Sequence, residues 1–186
     1  MTSAQPGEGK SAVSLNLARS LSELGKRVLL IDADMRRPSL NAKLGVKQSP
    51  GLSNFLGDTC AVSSVIQKYI SSTGEATFDF IPGGDVPHNP SELLNSTLLE
   101  NLSATLRAEY DYLIIDTSSV GAVIDAVSAS KQTDGMLVVM RENSCHGGVL
   151  RDCVDQLKFA HVNILGFVVN GALEGAGKKY QYSNYA

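Results

Sequence analysis

The segment Ala4-Gln-Pro-Gly-Glu-Gly-Lys-Ser11 constrains this chain more than any other feature. It fits the phosphate-binding pattern G-x-x-x-x-G-K-[ST], with Ala4 in place of the first glycine. It then runs directly into an apolar stripe at helical spacing, Val13, Leu17, Leu21 and Leu24, closed by Gly25. A glycine-rich turn that opens a helix lets backbone N–H groups turn inward around an anion, with the positive end of the helix behind them. Gly7, Glu8, Gly9, Lys10, Ser11 and Ala12 are therefore the expected nucleotide-binding residues. Lys10 is placed to reach the β and γ phosphates, and the Ser11 hydroxyl to bind Mg²⁺.

Downstream, the apolar pattern alternates between two periods. Residues 28–31 form a short, wholly apolar run, as expected of a strand buried on both faces; further strands are expected at 77–81, 112–115, 136–140 and 164–169. Helical stretches are expected near 62–69, 90–107, 123–131 and 148–159. This alternation implies an α/β fold with a mostly parallel sheet covered on both faces, and ligands bound beyond the carboxyl ends of its strands. Residues 36–57 and 83–90, with their prolines, read as surface excursions. The pattern divides the chain into a phosphate-loop domain, 1–170, and a flexible tail, 171–186, rich in Gly, Lys, Tyr, Ser and Asn.

Asp32 and Asp34 follow the first apolar strand and Asp116 follows the run 113–115, so all three emerge at the sheet edge where the loop lies. Any one of them could be a helix cap. Three carboxylates beside a polyphosphate are costly unless a hard dication separates them, which points to Mg²⁺ with oxygen ligands and retained waters, Asp116 being the strand-end carboxylate of that site. For a tyrosine acceptor, a phenol of pKa near 10 is ionised in only about one molecule per thousand at pH 7, equivalent to roughly 4 kcal/mol. Phosphoryl transfer has a loose transition state, so positioning and charge neutralisation matter more than early deprotonation. Lys10 and Asp32 are the expected catalytic residues, Asp32 contacting the acceptor hydroxyl.

Net charge of -3 and a pI near 5.6 give no basic field for nucleic acid. Cys60, Cys145 and Cys153 are scattered and odd in number, which suits a reducing compartment. No apolar run reaches the roughly 18 residues of a membrane span, and no secretion signal follows Met1. A cytoplasmic chain is expected.

The motifs Thr2 through Ser11, Val28-Leu-Leu-Ile-Asp-Ala-Asp-Met-Arg-Arg-Pro38 and Tyr110-Asp-Tyr-Leu-Ile-Ile-Asp-Thr117 resemble the Walker A, Walker A′ and Walker B motifs of bacterial tyrosine kinases. Asn89-Pro-Ser-Glu-Leu-Leu94 and Gly51-Leu-Ser-Asn54 are also similar to recurring segments of that family, so the likeness covers nearly the whole chain. The resemblance implies a P-loop NTPase fold of the MinD and ParA type and ATP-dependent autophosphorylation in trans on a C-terminal tyrosine cluster, here Tyr180, Tyr182 and Tyr185. It also implies control of capsular or exopolysaccharide synthesis and export, self-association into oligomers, and a cognate tyrosine phosphatase. A transmembrane polysaccharide co-polymerase or adaptor, separate or fused upstream, would hold the chain at the inner face of the plasma membrane. By position, Lys10 and Ser11 would hold phosphates and Mg²⁺, Asp34 and Asp116 would hold Mg²⁺ through water, and Asp32 would serve the acceptor.

The chain departs from the family in three places. Ser118-Ser119 replaces a frequent Pro-Pro, the tyrosine cluster is short, and only Met1-Thr-Ser3 precedes the phosphate loop, where family members have a strand and an Arg-containing helix. A fragment or a misplaced start, lacking the first strand, is therefore expected. The nearest rival is a partitioning ATPase of the MinD or ParA type, but Gln5 stands where such proteins carry a second lysine. A second rival is a non-catalytic module in which ATP orders loops that grip a partner. Cys145 and His146 are too few for a metal site, His88 and His161 read as isolated surface or packing residues, and Lys178-Lys179 as a solubilising pair. Arg36 and Arg37 are equally compatible with a phosphate contact, a subunit contact or plain solvation.

Overall fold

In the computed structural model, residues 1–74, 76–120, 125–142 and 147–172 are described. The strands are β1 (Thr2–Ser3), β2 (Val28–Asp32), β3 (Gln67–Ile70), β4 (Thr77–Ile81), β5 (Tyr112–Asp116), β6 (Met136–Arg141) and β7 (Ile164–Asn170). The helices are α1 (Lys10–Glu23), α2 (Leu40–Leu44), α3 (Leu52–Leu56), α4 (Pro90–Leu94), α5 (Thr97–Glu109), α6 (Asp125–Ser130) and α7 (Gly147–Phe159).

The strands form two ladders, β3-β4-β2-β5 and β1-β6-β7, parallel throughout except for the antiparallel edge pair β3 and β4. Met1 joins them. Its amino group donates to the Ile115 carbonyl at 2.8 Å and its own carbonyl accepts from the Thr117 N–H at 3.1 Å, so β1 runs between β5 and β6. The first strand, expected from the sequence to be missing, is thus present as two buried residues. Thr2 pairs with Val138 and its hydroxyl donates to the Ser118 carbonyl, which holds so short a strand in register.

All five residues of β2 are buried, because helices cover both faces of the sheet. Leu29 and Ile31 pack with Leu52, Leu94, Leu99, Leu102 and Ile115 on one face. Val28 and Leu30 pack with Leu15, Ala18, Leu40, Phe78 and Phe80 on the other. Met136 and Val138 of β6 lie with Ala126, Cys153 and Leu157 under α6 and α7.

Four expectations are corrected. The helix expected near 62–69 is a short 3-10 turn, Val62–Ser64, followed by β3, whose alternating exposure fits an edge strand; Tyr69 stacks on Phe78 with ring centroids 4.9 Å apart. The helix expected over 90–107 is two helices, because Ser96 breaks the run and caps α5 by accepting from the Leu99 N–H. Residues 36–57 are not merely a surface excursion, since Leu40, Leu44, Leu52 and Leu56 of α2 and α3 are buried in the core. Finally, α1 turns Ser14, Leu15 and Ala18 inward, while Leu24 is 74% exposed. Ser14 faces inward for a polar reason that belongs to the site.

Candidate active site

The phosphate loop occupies the turn from β1 to α1. Gly7 and Gly9 adopt φ of 83° and 91°, the left-handed region open to glycine at low cost, and this lets the chain curl before Lys10 opens the helix. The Glu8 side chain is 1% exposed and folds back so that Oε2 accepts the Gln5 N–H at 2.7 Å. Lys10 extends over the loop to within 3.6 Å of Asp34 Oδ2, the two side chains being 12% and 14% exposed. The site's lysine is thus held beside a carboxylate at the edge of solvent, where a phosphate oxygen can reach both Nζ and the loop amides.

The three strand-end carboxylates converge as the sequence implied. Asp32 and Asp116 are register partners at the ends of β2 and β5, and the Ala33 N–H donates to the Asp116 carbonyl at 2.7 Å. Asp116 Oδ1 accepts from the Ser14 hydroxyl at 3.0 Å, whereas its buried Oδ2 has no hydrogen-bond partner. Burial pushes the Asp116 carboxyl up; the Ser11 hydroxyl, Lys10 and the amino terminus beside it draw it down. A buried carboxylate oxygen without a partner, with the Ser11 hydroxyl acting on the same carboxyl and Asp34 paired to the lysine beside it, is an oxygen donor set that fits a Mg²⁺ retaining several waters.

Asp32 is the most enclosed of the three. Its Oδ1 accepts the Asp34 N–H at 3.2 Å, and its Oδ2 accepts the Ser39 and Leu40 N–H groups at 3.1 Å each. Burial, and then the neighbouring Asp116, raise its pKa to about 7, outweighing those three hydrogen bonds. A carboxylate poised near neutrality is a better proton acceptor than an ordinary aspartate. At 1% exposure, Asp32 sits behind the turn it braces, 33–39, rather than at the solvent edge.

Three residues of the site were not singled out in the sequence. Ser14 bonds Asp116 and sits one helical turn beyond Lys10, whose carbonyl it also bonds at 2.9 Å; a serine on the inward face of an otherwise apolar stripe was the available signal. Asn170 ends β7 and donates from Nδ2 to the Glu8 carbonyl at 3.0 Å, bracing the loop. It obeys the same strand-end rule as the aspartates. Asp125 pairs with Arg36 across 89 residues, and no local pattern announces it. Arg36 is therefore a paired group rather than a solvated one, while Arg37 is exposed. Tyr180, Tyr182, Tyr185, Cys145, His146 and Lys178-Lys179 lie outside the described residues.

Comparison with known proteins now decides the family. Residues 1–161 match a protein family described as an AAA domain. The tyrosine-protein kinase YwqD of Bacillus subtilis is 32% identical over 182 residues, an alignment covering 98% of this chain and 75% of YwqD. The chain belongs to the bacterial tyrosine kinase family. Among solved members of that family, the kinase domain of Escherichia coli tyrosine kinase ETK superposes with a TM-score of 0.88 at 34% identity, covering 98% of this chain and 70% of the other. The putative tyrosine-protein kinase EpsB of Ralstonia nicotianae is 38% identical over 99% of this chain, which spans only 24% of EpsB. Similarity to the Pyrococcus horikoshii MinD complexed with Mg-ADP is lower, with a TM-score of 0.71 at 26% identity, so the MinD type shares the P-loop architecture at greater distance. Among the described residues no helix is long and apolar enough to cross a membrane.

Proposed function

We propose that this chain is an ATP-dependent protein-tyrosine autokinase of the capsular and exopolysaccharide type, using Mg²⁺ and phosphorylating Tyr180, Tyr182 and Tyr185 of a neighbouring copy. The observation that carries this reading is the Lys10–Asp34 pair, 3.6 Å apart, together with the unpartnered buried Oδ2 of Asp116, a carboxyl that feels the Lys10 charge. Such a site offers one cationic arm for the phosphates and carboxylate and hydroxyl oxygens for a metal. Gly7, Glu8, Gly9 and Ala12 contribute loop and helix amides to the phosphates, and Ser11, Asp34 and Asp116 hold the metal. The bound Mg²⁺ supplies neutralisation of the β and γ phosphate charge.

Lys10 orients the γ-phosphate and offsets the charge that accumulates on the departing β–γ bridging oxygen. The tyrosine oxygen forms its bond to phosphorus as the bond to ADP breaks, and Asp32 takes the phenolic proton late. Residues 1–170 form the catalytic unit and 171–186 the substrate tail. Partners follow from the same reading: a second copy of the chain, a membrane-spanning polysaccharide adaptor that holds the domain at the inner membrane face, and a phosphatase that resets the tail.

Incubation of the purified chain with Mg-ATP, followed by phosphotyrosine detection beside a Lys10→Met control, tests the reading. Tyrosine phosphate that disappears in the control is expected. Phosphate release without phosphotyrosine would instead identify an ATPase, and neither signal a nucleotide-gated binding module.

A further inference from the structure

Arg36 lies outside the phosphate loop and Asp125 outside every motif described above, yet they make the shortest ion pair among the described residues, with Nε donating to Oδ2 at 2.7 Å. Nη2 of the same guanidinium reaches Asp125 Oδ1 at 3.4 Å and Ser91 Oγ at 3.3 Å, and the Ser91 hydroxyl itself donates to Asp125 Oδ1 at 2.5 Å. The Asp125 side chain is 3% exposed and opens α6, where the positive end of a helix favours a carboxylate. Three separate elements meet in this cluster: the turn after β2, the first turn of α4, and the start of α6.

Each arm of the cluster leads to a metal-facing carboxylate. Asp34 is two residues before Arg36, with only the buried Met35 between them. Asp125 opens α6, whose Ala129 packs in the same core as Ile31 and Ile115, the residues just before Asp32 and Asp116. The backbone bond from Ala33 to Asp116 and the ion pair from Arg36 to Asp125 therefore tie the turn after β2 to β5 and to α6, at two points. With one link alone the turn could pivot about Ala33; the second link restrains that pivot and, with it, Asp34. A planar, forked guanidinium holding a carboxylate and a hydroxyl restricts such pivoting more than a point charge could.

We propose that Arg36, Asp125 and Ser91 form a lock whose role is to set the spacing of Asp34 and Asp116, making Arg36 and Asp125 positioning residues for the metal rather than contacts for the nucleotide. The proposal rests on the Mg-ATP reading given above. Groups that hold metal-binding side chains in place typically affect metal affinity 10- to 100-fold when removed. The lock reaches Lys10 only through that residue's 3.6 Å pair with Asp34 and does not touch the loop amides, so nucleotide affinity without metal is expected to fall far less than affinity with it.

A fluorescent ATP analogue, titrated with Mg²⁺ on the whole chain, tests this in the wild type, Arg36→Gln, Asp125→Asn and the double variant. Each single variant is expected to need about tenfold more Mg²⁺ for half-saturation. The double variant should need no more than the worse single one, because both remove the same interaction. Metal-free affinity should stay within about twofold, and hydrogen exchange should quicken over 33–39 without a change in the rest of the sheet. An unchanged Mg²⁺ requirement in both single variants, beside a wild type that responds to Mg²⁺, overturns the lock. So does an equal loss of affinity with and without metal, or the loss of a cooperative melting transition, either of which makes the pair a general stabiliser. A wild type whose nucleotide affinity ignores Mg²⁺ overturns the underlying site reading instead.

Discussion

Replacing Gly9 by alanine tests whether the loop is held in its curled form by the end of β7. At φ of 91° a β-carbon at position 9 faces the left-handed penalty, roughly 1–2 kcal/mol for a side chain other than glycine. It would also overlap the Asn170 side-chain amide, forcing that group off the Glu8 carbonyl. Losing that hydrogen bond costs about 0.5–1.5 kcal/mol. Together Gly9→Ala should lower unfolding stability by about 2–3 kcal/mol, and Asn170→Ala by about 1 kcal/mol alone. The double variant should be hardly worse than Gly9→Ala, since the alanine has already displaced Asn170, leaving a coupling of about 1 kcal/mol. Urea denaturation of the four proteins measures all of this. Strict additivity, or a Gly9→Ala variant as stable as the wild type, would refute the idea that Asn170 braces the loop from behind.

The buried Asp32 gives a pH signature in metal-free buffer. Its pKa rises from 3.8 to about 7 on folding, so the folded state binds the proton more tightly and the stability due to this group falls as pH rises between those values. Wild-type stability measured against Asp32→Ala should therefore decline from pH 4 to pH 7 by up to about 4 kcal/mol, and parallel curves would show that Asp32 is not perturbed. In the segment 36–57, Leu52→Ala should cost about 2–5 kcal/mol, since Leu52 is 0% exposed. By contrast, Leu24→Ala, at a position 74% exposed, should stay within about 0.5 kcal/mol; similar thermal denaturation midpoints for the two would contradict the packing described.

What could be read in advance follows from how local each signal is. The phosphate loop, β2 and β5 are contiguous runs whose chemistry and period lie within a dozen residues, and Asp32 and Asp116 stand at the carboxyl ends of β2 and β5, with Asp34 just beyond, as the apolar runs before them imply. Ser14, Asn170 and Asp125 take part through partners 102, 162 and 89 residues away, and no window of sequence contains both halves. The period misled at 62–69 because Val62, Val65, Ile66 and Tyr69 keep helical spacing while the backbone pairs with β4 instead. There, cross-strand packing of Tyr69 on Phe78 outweighs a weak helical preference. The stub β1 was hard to foresee for a different reason. Two residues carry no period, and their strand character comes from long-range bonds: Met1 to β5, Thr2 and Ser3 to β6, and the Thr2 hydroxyl to the Ser118 carbonyl.

Calorimetric titration of the chain with ATP, in excess Mg²⁺ and again in excess chelator, addresses the nucleotide and metal site most directly, with Asp116→Asn measured alongside. Binding that tightens with Mg²⁺ in the wild type, and loses most of that tightening in Asp116→Asn while metal-free binding persists, is the expected result. Binding that is absent, or equally strong with and without Mg²⁺ in both proteins, would contradict a metal held between Ser11, Asp34 and Asp116.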